Sequence, residues 1–162
     1  MHICGIIAEY DPFHTGHARQ ISMIRQCLGG DCAVVCVMSG NWTQRASPAI
    51  AEKHLRARLA LLGGADLVLE LPTVWASSSA ESFARGAVAL LHASGVVDTL
   101  CFGSESGDLE ALASVARCLD SAGFQTELRR FTSNGTSFAA ARQAAVQEVL
   151  GDSARLLSAP NN

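Results

Sequence analysis

Four short, largely apolar runs constrain this chain more than any other feature: Ile3 to Ala8, Cys32 to Met38, Leu67 to Leu71 and Val96 to Phe102. A strand with one face in water alternates apolar and polar residues, whereas a run without that alternation must be covered on both faces. The segments between the runs carry helical spacing. Gly16 to Leu28 places Ile21, Ile24 and Leu28 on one stripe and stops at Gly29-Gly30. Ala49 to Leu62 follows Pro48 and precedes Gly63-Gly64, Ala80 to Ala93 closes near Gly95, and Leu109 to Ala122 ends at Gly123, with a last helix over Ser137 to Leu150. Buried strands alternating with amphipathic helices predict an α/β fold, a doubly wound parallel sheet with helices on both faces.

At 162 residues the chain is long enough for one domain with a real core, and 49% hydrophobic against 17% charged residues indicates a globular chain rather than a disordered one. The formal charge of -3 is not that of a self-sufficient nucleic-acid binder. Its six cysteines are scattered without C-x-x-C pairs, mostly inside apolar runs, and read as small core residues in a reducing compartment. The N-terminus lacks the pattern of a secretory leader, and no run approaches the roughly 18 apolar residues of a membrane span. A cytoplasmic protein without a membrane partner is expected.

Ligands of doubly wound sheets bind beyond the carboxyl ends of the strands. The candidate residues are therefore Glu9 to His17 after the first strand, Ser39, Gly40 and Asn41 with Gln44 and Arg45 after the second, Glu70 and the 77–81 stretch after the third, and Gly103, Ser104 and Glu105 after the fourth. Within that rim Ile7 to Gln20, IAEYDPFHTGHARQ, stands out. A strand that turns into a helix brings backbone N–H groups and a positive dipole end to one point, which suits a phosphate. His14 and His17 lie three residues apart and share a helix face, with Gly16 leaving the backbone bare between them. Imidazoles can donate hydrogen bonds to phosphate oxygens as charge grows on them. A zinc site has less support, because no cysteine or third histidine lies nearby in sequence, and no metal ligand is assigned.

The HTGH stretch resembles the H-x-G-H signature of the nucleotidyltransferase superfamily, whose Rossmann-like domains bind ATP and attack its α-phosphate. Successive blocks, GIIAEYDPFHTGH, VMSGNWTQRASPAI, GADLVLELP, SAESFARGAVALL, VVDTLCFGSE and APNN, resemble the bacterial tRNA(Met) cytidine acetate ligase family, in order and from near the first residue to the last. The resemblance implies one ATP-binding, nucleotidyltransferase-like catalytic domain over 1–162 and a reaction in two steps. Acetate and ATP form acetyl-adenylate and pyrophosphate, and the wobble cytidine of elongator tRNA(Met) then takes the acetyl group to become N4-acetylcytidine. ATP, with Mg²⁺, is the implied cofactor, and acetate and tRNA are the implied partners. No oligomeric state follows.

Carried over by position, the ATP loop is Ile7, Ala8, Glu9, Tyr10, Asp11, Pro12, Phe13, His14, Thr15, Gly16, His17, Ala18, Arg19 and Gln20, with His14 and His17 as the catalytic pair. Gly103 matches the glycine after the fourth strand that approaches the nucleotide, and Asn161 or Asn162 matches the asparagine of the P-N-[ND] block. Arg45, Lys53 and Arg56 are candidates for pyrophosphate or tRNA phosphate contacts, since arginine and lysine clamp anions. The family usually has Asn where this chain has Asp11, often Asn at Thr15 and an aliphatic residue at Thr43. Its members also continue past the P-N-N block, through a phosphate-contacting segment into a C-terminal region that helps hold tRNA. That region is absent from this sequence.

Plainer roles are expected elsewhere. His2, His54 and His92 pack or are solvated, Glu81 suits the first turn of a helix, Arg129-Arg130 is a solvated face and Ser133-Asn134-Gly135 a turn. Trp42 either stacks on a base or packs on its own scaffold, and Trp75 lies near the same rim. Two other functions stand beside the ligase: an adenylyltransferase for a small cofactor precursor, and a nucleotide-binding module without turnover.

Overall fold

All four apolar runs become strands, and the computed structural model, which describes residues 1–158, pairs them in parallel. β1 (Ile3–Ala8) lies beside β2 (Ala33–Ser39), β3 (Leu67–Leu71) flanks β2, and β4 (Thr99–Cys101) flanks β1, giving the order β3-β2-β1-β4. The connecting helices are α1 (Thr15–Leu28), α2 (Lys53–Leu62), a short α3 (Thr73–Ala76) and α4 (Ala80–Ala93). One face of the sheet buries Cys4, Ile6, Val34, Cys36 and Met38 against Ile21 and Ile24 of α1 and Ala60 of α2. The other buries Val35, Val37 and Leu71 against Ala76, Phe83, Ala87 and Leu91 of α3 and α4. Neighbouring residues of β2 thus enter opposite cores, which is why the strand has no polar phase. The doubly wound sheet with helices on both faces is as the sequence predicts.

Several boundaries differ from those read in the sequence. The fourth strand is Thr99–Cys101 rather than Val96 to Phe102; Asp98 closes the ladder, its carboxylate accepting from the Ile3 N–H at 3.1 Å and its own N–H donating to the Ile3 carbonyl at 3.1 Å. The second helix starts at Lys53 and not Ala49. Glu52 caps it by accepting from the Leu55 N–H at 3.0 Å, and Ala49 and Ile50 instead bond to the Asn41 carbonyl and the Asp11 carboxylate. α3 was not foreseen.

The first compact unit is Met1–Phe102 and the second begins at Gly103. In the second, α5 (Leu109–Leu119), α6 (Ala122–Ser133) and α7 (Phe138–Leu150) lead into a 3-10 segment, Gly151–Ser158, around Val115, Cys118, Phe124, Ala145, Val146 and Ala154. Here the expected helix from Leu109 to Ala122 stops at Leu119, and α6, which starts at Ala122 and runs through Gly123, is a further helix that the sequence reading lacks. Ser121 caps α6 by accepting from the Phe124 N–H at 3.2 Å, and that cap outweighs the roughly 1 kcal/mol cost of Gly123 in the first turn. The six cysteines are free thiols, and no helix among the described residues is long and apolar enough to cross a membrane.

Candidate functional site

The His14–His17 pair sits at the start of α1, just past the carboxyl end of β1. His14 is the N-cap, with an extended backbone (φ -140°, ψ 176°), and its Nδ1 accepts from the Gly16 N–H at 3.1 Å. The Nδ1 of His17 accepts in turn from the His14 N–H at 3.2 Å. This is a reciprocal capping box built from two imidazoles in place of a hydroxyl and a carboxylate. The rings stack with centroids 3.7 Å apart at 21°. Because both Nδ1 atoms are acceptors, each neutral ring carries its proton on Nε2. The backbone N–H groups of His14 and Gly16, expected to be open to a ligand, are therefore already bonded, and the cap offers imidazole N–H donors instead.

Gly16 is required by this arrangement, since a Cβ there would lie 2.9 Å from Cε1 and 3.0 Å from Nδ1 of His14. His17 is half-buried in an aromatic corner, with the Tyr10 ring edge-on at 4.7 Å and the Phe13 ring tilted at 5.5 Å. Burial, and secondarily the neighbouring His14, hold its pKa below the ordinary histidine value. Tyr10 is itself buried with φ 49°, a left-handed conformation unusual for a residue with a Cβ, and its hydroxyl lies 3.3 Å from the Cys36 thiol.

What fixes this loop is Arg56, and the expectation that Arg56 meets phosphate is corrected. Its side chain is 0% exposed. Nε donates to the Tyr10 carbonyl at 3.0 Å, Nη1 to the Gly40 carbonyl, and Nη2 to the Glu9 carbonyl, the Ser39 carbonyl at 2.9 Å and the Ser39 Oγ at 3.0 Å. The guanidinium ties together the carboxyl ends of β1 and β2, where successive carbonyls leave the sheet unpaired. Burial lowers its pKa, and the opposing pull of Asp11, 3.9 Å from Nε, and of Glu9 favours the charged form. Ser39 and Gly40 are buried in the same network, bonded to the Arg56 guanidinium.

The remaining rim candidates also frame the loop. Glu9 accepts from the Gln44 N–H, Asn41 Oδ1 from the Lys53 N–H at 3.1 Å, and the Lys53 ammonium pairs with Glu70 at 2.6 Å. Arg45 is exposed at the tip of the turn closed by Thr43 and Ser47, and Trp42, 44% exposed, forms an isolated bridge with Pro48. Of the predicted ATP loop, Ile7 lines the α4 side of the sheet, Ala8 the α1 side, and Gln20 reaches the Cys101 thiol at 3.7 Å; Pro12, Thr15 and Arg19 are exposed and Ala18 half-buried. Gly103 opens the second unit, and a Cβ there would meet nothing within 4 Å among the described residues. Asn161 and Asn162 lie outside the described residues. No three His, Cys, Asp or Glu side chains stand together as metal ligands among those described. The sequence did not reveal that Phe13 packs on Gly63, where a Cβ would lie 2.2 Å from its ring; Gly63 read only as a helix end.

The family pattern of the HIGH nucleotidyl transferases matches residues 1–162. A tRNA(Met) cytidine acetate ligase of Clostridium novyi (strain NT) is 41% identical over 167 residues, covering 100% of this chain and 42% of the relative. One of Syntrophomonas wolfei is 46% identical over 168 residues, covering 100% and 40%. Among solved structures, Thermotoga maritima TmcAL bound with alpha-thio ATP superposes with a TM-score of 0.93 at 39% identity, over 99% of this chain and 41% of that one. The chain spans about two-fifths of the length of these relatives.

Proposed function

We propose, from the premise that this chain belongs to the HIGH nucleotidyl transferase family, that it is the ATP-binding and adenylating part of a tRNA(Met) cytidine acetate ligase. The observation that carries the reading is the stacked His14–His17 pair, whose Nδ1 atoms are both bonded to backbone so that both Nε2–H groups remain as donors. A carboxylate oxygen of acetate attacks the α-phosphorus of ATP in line, the bond to the β-phosphate oxygen breaks, and pyrophosphate leaves. Little covalent chemistry falls to the protein in such a displacement; positioning and stabilisation of charge on the phosphate oxygens do the catalytic work. Nε2–H donors of neutral imidazoles suit that task without having to gain or lose a proton.

The exocyclic amine of cytidine then attacks the acetyl carbonyl, expelling AMP and losing a proton. Acetate and tRNA(Met) belong to the same reading, which the names of the similar proteins support; the elongator form of that tRNA and a cytoplasmic location are parts of the proposal. Mg²⁺ suits the triphosphate, and with no protein ligand cluster among the described residues the ion would be held mainly through phosphate oxygens, with its charge offsetting theirs. Arg45, exposed beside this edge, is a candidate for phosphate contact, and Gly103, Asn161 and Asn162 for nucleotide contact.

ATP–pyrophosphate exchange with and without acetate, on this chain and its His17→Ala variant, tests the proposal. Acetate-dependent exchange lost in the variant supports it. Exchange that requires a phosphorylated cofactor precursor instead of acetate, or ATP binding with no exchange in this chain or in a full-length relative, contradicts it.

A further inference from the structure

We infer that Gly63, at the far end of α2 and without contact to either histidine, is a positioning residue: its bare backbone lets Phe13 seat against α2 and hold the His17 ring in place. The inference rests on the functional reading above only for its consequence, not for its geometry. α2 stops at Leu62, and the Gly63 N–H bonds to the Leu59 carbonyl at 2.9 Å. A glycine is not needed there by its backbone, which is ordinary right-handed helix (φ -79°, ψ 0°). It is needed by its neighbour. A Cβ at Gly63 would stand 2.2 Å from Cζ and 2.3 Å from Cε1 of Phe13, well inside contact distance for carbon atoms.

Phe13 in turn meets Tyr10 edge-on at 5.0 Å and His17 at 5.5 Å, so three rings form one corner. A ring pushed away from α2 must shift against that corner or out of it, and either movement changes its contact with His17. The titratable and charged groups around His17 are His14, stacked on it, Tyr10, whose hydroxyl turns to Cys36 of β2, and Arg56 of α2, which bonds to the Tyr10 carbonyl. α2 itself presents Gly63 to Phe13. The apolar wall on His17 therefore comes from Phe13 and Tyr10, and loosening it re-exposes the imidazole to water. Its depressed pKa has burial as the largest cause, so re-exposure raises it.

The test is imidazole NMR on the 162-residue chain for wild type, Gly63→Ala, Phe13→Ala and the double variant, with ATP affinity measured on the same samples. Gly63→Ala should raise the His17 pKa and weaken ATP binding about tenfold or more, as expected when a donor loses alignment. Phe13→Ala should raise the pKa as well, and adding Gly63→Ala to it should change nothing further, because the clash needs the ring. Folded Gly63→Ala with an unchanged His17 titration overturns the inference, as does a double variant whose effects add. Should Gly63→Ala not fold, an unchanged His17 titration in Phe13→Ala overturns it equally. A raised pKa with unchanged ATP affinity upholds the positioning and sinks the phosphate-binding role of His17.

Discussion

Replacing Arg56 with methionine keeps much of the side-chain volume and removes all five donated hydrogen bonds at the carboxyl ends of β1 and β2. A buried bond from a charged donor contributes about 1.5–3 kcal/mol taken singly. The five are not additive, since they share one side chain and some orphaned carbonyls will find water. Asp11 is left without the charge beside it. Removing one partner of a buried ionic network costs about 3–5 kcal/mol, and we expect Arg56→Met to lose about 4 kcal/mol. In a unit of about 100 residues that corresponds to a fall in Tm of roughly 15–30 °C. Urea unfolding followed by tryptophan fluorescence reads it directly, because Trp42 and Trp75 both lie in the first unit. Arg56→Lys keeps the charge without the planar fork and should fall between the two. A loss below about 1 kcal/mol in Arg56→Met would show that the loop does not depend on this guanidinium and would refute the reasoning.

Gly16→Ala should separate binding from stability. Its Cβ displaces the His14 ring, while alanine favours the helix by roughly 1 kcal/mol, so ATP affinity should fall about tenfold with the urea midpoint nearly unchanged. Gly86→Ala places a Cβ 2.5 Å from Cγ and Cδ2 of Trp75 and should cost about 1–3 kcal/mol with a shifted tryptophan emission. His17 has a folded-state pKa below its ordinary value of 6.5. Between the two values the unfolded chain binds a proton that the folded chain does not, so stability falls as pH drops through 6.5 and levels off below the folded pKa. Urea midpoints measured from about pH 7 to about pH 5 should show that slope, and His17→Asn should remove its share.

The architecture was legible because burial on both faces writes itself into composition: β2 needs apolar residues at Val34, Val35, Cys36 and Val37 whichever way each one points. The place of the histidine pair followed from the same rule, since the loop after β1 must lie at the carboxyl edge. Its internal geometry did not follow. That Gly16 and His14 spend their N–H groups on the rings depends on dihedral angles that no spacing rule specifies. Arg56 was misread because charge alone suggests a surface anion clamp, whereas strand ends offering several unpaired carbonyls can bury a guanidinium. Gly63 and Gly123 show the limit of punctuation by glycine. One is bare for the sake of an aromatic ring distant in sequence, and the other lies inside a helix that Ser121 caps.

The central claim is that two neutral imidazoles present Nε2–H donors to a triphosphate. Nitrogen NMR of His14 and His17, recorded as a non-hydrolysable ATP analogue is added, tests it most directly. The account predicts the Nε2–H tautomer in both rings before addition, and Nε2 resonances that move to saturation with the ligand while the Nδ1 atoms keep their acceptor character. Rings protonated on Nδ1, or Nε2 resonances that stay in place while the nucleotide binds, would contradict it.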